Sequence, residues 1–91
     1  KKAIKLDDNL IDAKNLLAEM IIEQGDISKS LIMFNNNIDQ AKELDDQYAL
    51  AEAYSYRGWA LWTDSQHEMA LDSFSLALTQ MYHLLYYHII L

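Results

Sequence analysis

The chain has 91 residues, enough for one small domain, and by surface scaling such a length buries about 64% of the surface it exposes when unfolded. It is 52% hydrophobic and 23% charged, too apolar to remain disordered. With no proline and only Gly25 and Gly58, it lacks the turn residues of an all-β fold and favours long helices joined by short turns. Seven Lys and Arg stand against 14 Asp and Glu, a net charge of −7, which excludes the cationic face that nucleic acid or an anionic membrane surface requires. No cysteine is present, so disulfide and thiolate chemistry are excluded. The lack of disulfides fits a reducing compartment, and the expected location is cytoplasmic. No signal segment or apolar run of spanning length is evident. A start at Lys1-Lys2 rather than Met reads as a piece cut from a longer chain.

Four helices are predicted in chain order. Over 9–24, Leu10, Ala13, Leu17, Met20 and Ile21 share one face, with Asp7-Asp8 as the expected cap and Gly25 as the stop. Asp26 then caps a helix over 27–44 carrying Ile27, Leu31, Phe34, Ile38 and Ala41, although Asn35-Asn36-Asn37 is poor helix material. Asp45-Asp46 caps a third over 47–63, with Leu50, Tyr54, Gly58, Ala60 and Leu61. Ser65 and Glu68 have the spacing of a capping box for the fourth, whose buried face is Ala70, Leu71, Phe74, Ala77, Leu78 and Met81.

A shift of 40 residues pairs Ala13 with Ala53, Ala18 with Gly58, Ile21 with Leu61, Leu31 with Leu71 and Phe34 with Phe74. Ala3-Ile4-Lys5-Leu6-Asp7-Asp8 likewise echoes Ala41-Lys42-Glu43-Leu44-Asp45-Asp46. The expected organisation is the end of a preceding repeat at 1–8, repeats at 9–46 and 47–81, and an apolar extension at 82–91.

These residues resemble the tetratricopeptide repeat, an all-α solenoid of antiparallel helix-turn-helix units. In the later unit Tyr54, Gly58, Leu61, Ala70, Phe74 and Ala77 stand at that family's spacing. Gly58 and Ala70 are expected to face each other so that the helices cross closely, with Phe74 filling the gap beside them. The earlier unit matches at Leu17, Ala18, Ile21, Gly25-Asp26 and Phe34, and departs at Lys14, Ser30 and Asn37; neither unit has the usual proline. Four extra residues in its second helix resemble the 40-residue variants of kinesin light chains, spindle-orientation adaptors and bacterial peptide-sensing regulators.

The resemblance implies a concave groove lined by Asp12, Asn15, Glu19 and Ile22 of the earlier unit and Glu52, Ser55, Trp59 and Trp62 of the later, with Tyr56 at its border. It implies a non-catalytic module that binds a protein or peptide. Asn15 alone suits the carboxylate clamp of chaperone-binding members, whereas Glu19 and Trp59 stand where that clamp needs Asn. Acids beside aromatic rings suit a basic or apolar peptide instead. Trp59 and Trp62 read equally as groove anchors or as packing against a neighbouring repeat. A dimerisation, spacer or regulatory segment of a larger signalling protein is the alternative function.

No cofactor, metal or catalytic group is expected. His67, His83 and His88 are never three or four apart, so one helix face cannot present two of them. The paired acids read as caps rather than as acid–base catalysts. Neither Ser73 nor Ser75 has a glycine-framed elbow, and no phosphate loop is present. The tail from Met81 to Leu91 carries no Asp, Glu, Lys or Arg. Three readings of it stand: a cap folded over the end of the stack, self-association with a second copy through 82–91, or an artefact of truncation or reading frame.

Overall fold

In the computed structural model, backbone placement is described for residues 2–90 and side chains for 13–87 and Ile89. The described residues are all-helical: α1 (Lys2–Glu23), α2 (Ile27–Glu43), α3 (Gln47–Thr63) and α4 (His67–Ile90). Among the described residues each helix packs on the next in sequence, α1 also packs on α3, and the backbone of α4 comes close to neither α1 nor α2. The molecule measures 40 × 28 × 17 Å, and its thin dimension fits two helices laid across each other at the usual separation of about 8–10 Å.

One turn design recurs three times. Gly25, Asp45 and Ser65 have positive φ (92°, 53° and 62°), so the reversals fall 20 residues apart. At each, the positive-φ residue's N–H bonds to the carbonyl three back, and the next N–H to the carbonyl five back (Asp26 to Ile21, Asp46 to Ala41, Gln66 to Leu61). This is the Schellman pattern, which satisfies the orphan carbonyls of a helix end. Asp26 and Asp46 then cap the following helices, their carboxylates accepting from the N–H of Lys29 and Ala49.

Two expected caps are not made. Asp7 and Asp8 lie inside α1, which runs unbroken from Lys2 to Glu23. Ser65 is taken up by the positive-φ position of the turn, so Gln66 opens α4, its carbonyl accepting the first helical bond from Ala70. The capping box of Ser65 and Glu68 therefore does not form.

The core has two adjoining parts. Ala18 and Ile22 of α1, Phe34 of α2 and Ala60 of α3 form one, with Ile27, Leu31, Met33 and Tyr56 against it. Ile38 and Ala41 of α2, Ala49, Leu50, Ala53 and Tyr54 of α3 and Ala77 of α4 form the other. Helix α3 contributes to both because it lies among α1, α2 and α4. Its buried surface is accordingly rich in small residues (Ala49, Ala51, Ala53, Gly58 and Ala60), which admit several neighbours at close range.

Helices α3 and α4 approach closely at Gly58. A Cβ there would stand 2.6 Å from Cε1 and 2.7 Å from Cδ1 of Phe74, so the ring of Phe74 lies on the bare glycine backbone. Phe74, the residue expected to fill the gap beside Gly58, is thus its nearest side-chain neighbour. Ala18, Ser30, Ala70 and Ala77 are buried as packing residues, and Phe74 is half-buried.

Polar groups inside the stack are mostly satisfied. Asn37, in the middle of the asparagine run, stays helical and buried, its amide donating to Oδ1 of Asn15 at 2.8 Å. Ser30 donates to the carbonyl of Ile27. Among the described residues the exception is Ser73, whose Oγ is buried without a hydrogen-bond partner. An unpartnered buried hydroxyl costs free energy, and Ala is the better helix former. Ser73→Ala is therefore expected to stabilise the fold by about 1 kcal/mol. A thermal melt should show a higher midpoint, and an unchanged or lower one would mean that the hydroxyl has a partner in solution.

Candidate functional site

A pocket of about 450 Å³ opens between α3 and the later part of α4, lined by Tyr48, Ala51, Glu52, Ser55, Tyr56 and Trp59 from α3 and by Met81 and Leu84 from α4. The α3 residues recur at helical spacing and so lie along one side of that helix. Met81 and Leu84 continue the spacing of Ala77, which carries α4's packing side beyond the core to form the facing wall.

Glu52 is the one acid of the lining. Its Oε1 accepts from Nδ2 of Asn15 at 3.2 Å, and Asn15 in turn accepts from Asn37. A chain of amides from α2 through α1 thus reaches the pocket carboxylate from behind and restricts its orientation. Asn15 is 1% exposed, so desolvation strengthens these bonds and raises the cost of breaking them. Tyr56 stacks on Phe34, with ring centres 5.7 Å apart and planes 3° from parallel. This ties one border of the pocket to the core.

The residues expected along a groove separate into three groups. Glu52, Ser55, Tyr56 and Trp59 come together in the pocket. Trp62 lies outside the lining and packs on His67 at 4.1 Å between ring centres. On α1, Asn15 and Ile22 are buried, Glu19 is half-buried and away from the pocket, and the side chain of Asp12 lies outside the described residues. Asn15 therefore reaches the pocket only through Glu52.

Tyr48, Ala51, Met81 and Leu84 were not among the expected groove residues. The spacing of Tyr48 and Ala51 with Ser55 and Trp59 could have indicated the first two. Met81 and Leu84 required the recognition that α4 keeps its packing face into the apolar tail.

Among the described residues no three His, Asp or Glu side chains converge as metal ligands would, and no helix is long and apolar enough to cross a membrane. No family model, curated protein or solved structure matches the chain.

Proposed function

We propose that the chain is a non-catalytic protein-interaction module of two tetratricopeptide-like helix pairs, α1–α2 and α3–α4, which docks a short basic and apolar peptide in the α3–α4 pocket. Three features support the repeat reading: turns of one design 20 residues apart, packing of each helix on its neighbours in sequence, and the nesting of Phe74 on Gly58.

The observation that carries the peptide reading is the pocket's composition. Aromatic side chains at Tyr48, Tyr56 and Trp59 share the pocket with one carboxylate, Glu52, which is held by a buried amide. An Arg or Lys side chain would place its charge by Glu52 and its aliphatic stem against the aromatic walls, gaining both ionic and cation–π attraction. The net charge of −7 would draw such a peptide toward the domain.

The test is an array of Arg- and Lys-containing apolar peptides, with affinities of the best binders measured by fluorescence anisotropy. Trp59→Ala should weaken binding at least tenfold, the loss typical of a central aromatic anchor. Trp62→Ala should leave it unchanged, because Trp62 is outside the pocket. Absence of any binder, or equal effects of the two substitutions, would overturn the pocket as the docking site.

A further inference from the structure

We infer that residues 71–89 of α4 form a self-association seam through which two copies of the chain pair. Leu71, Ser75, Leu78, Tyr82, Leu85 and Ile89 succeed one another at alternating intervals of four and three, the spacing of a coiled-coil seam, with leucine at each alternate position. The five large side chains are all more than half exposed, from 56% at Leu71 to 75% at Ile89. The seam lies on a different side of α4 from Ala70, Ser73, Ala77 and the pocket residues Met81 and Leu84.

The internal 40-residue register shows that this face is of a packing kind. Leu71 and Leu78 correspond to Leu31 and Ile38, and on α2 these are packed in clusters with residues of α3. On α4 the equivalent face is bare.

Charge identifies the occupant as the same face of a second copy. Every Asp, Glu, Lys and Arg lies in residues 1–72, so the seam beyond Asp72 contains none of them. Two copies of net charge −7 repel each other, and they meet at least cost where neither carries charge. The sides of α3 that pack on α1, α2 and α4 are already covered within each copy. The exposed seam side chains amount to roughly 600 Å² per copy, or about 1,200 Å² in a pair, the lower end of specific interfaces. Such a pair is isologous, each copy giving and receiving the same surface.

The experiment is sedimentation equilibrium at about 100 μM, above the micromolar dissociation constants to which an interface of this area can correspond. The wild-type chain should have twice the monomer mass. Leu78→Glu with Leu85→Glu should give monomer with an unchanged helical circular-dichroism signal. Leu76→Glu, on the other flank of α4, should remain dimeric. Should the glutamate variant lose helicity, mixing it with Leu78→Lys plus Leu85→Lys decides: restored helix and dimer mass support the seam, and failure to restore them refutes it. A monomeric wild type, or a dimer that survives both glutamates, also overturns it.

Discussion

Phe34→Ala is expected to lower the unfolding free energy by about 3–5 kcal/mol, the cost of deleting a buried aromatic ring. Phe34 is 0% exposed and packs with Ala18, Ile22 and Ala60, so it joins α1, α2 and α3 at one point. These neighbours include small side chains on two other helices, Ala18 on α1 and Ala60 on α3, and they cannot close over the lost ring without shifting whole helices. The stack on Tyr56 is lost as well, which loosens the border of the pocket. A domain of this size has a total stability of about 5–15 kcal/mol, so this one ring represents a large share of it. Urea unfolding followed by circular dichroism should show the midpoint falling steeply. A loss under about 1 kcal/mol would mean that the ring does not occupy the junction.

Gly58→Val should rank second, at about 3 kcal/mol destabilising, and Gly58→Ala should also destabilise, by about 1 kcal/mol. The sign for alanine is the informative part. In an exposed helix interior, replacing glycine by alanine gains about 1 kcal/mol. At Gly58 the new Cβ would stand 2.6 Å from the Phe74 ring, so the ring or the helix must move. Overpacking of this kind costs about 1–3 kcal/mol, which outweighs the gain in helix propensity. Phe74→Leu in the Gly58→Ala background should recover part of the loss, and the coupling between the two sites can be read from a double-mutant cycle. A Gly58→Ala protein more stable than wild type would place the ring away from the glycine.

Local signals were sufficient for most helix ends. Gly25-Asp26 and Asp45-Asp46 each combine a residue tolerant of positive φ with a capping carboxylate, and both turns are legible in the sequence. The third turn is legible only from the 20-residue spacing, which assigns Ser65 to the positive-φ position and leaves Gln66 to open α4. Asp7-Asp8 repeats the pattern of Asp45-Asp46, yet α1 runs through it.

The fate of buried polar residues depended on partners remote in sequence. Asn37 looks unfavourable within a helix, yet its partner Asn15 lies 22 positions away on α1, where spacing along α2 gives no indication of it. The same contact removes Asn15 from the surface to which a family position assigns it. For the pocket, one wall follows from periodicity on α3, while the other depends on how α4 lies against α3, a tertiary fact.

The most direct test of the docking account is the amide chemical-shift map of the domain titrated with the best-binding Arg- or Lys-containing peptide. Perturbations should centre on Tyr48, Ala51, Glu52, Ser55 and Trp59 of α3 and on Met81 and Leu84 of α4, with α1 and the Leu71–Leu78–Leu85 side of α4 unaffected. Perturbations centred on α1, around Trp62 or along that leucine side would contradict it.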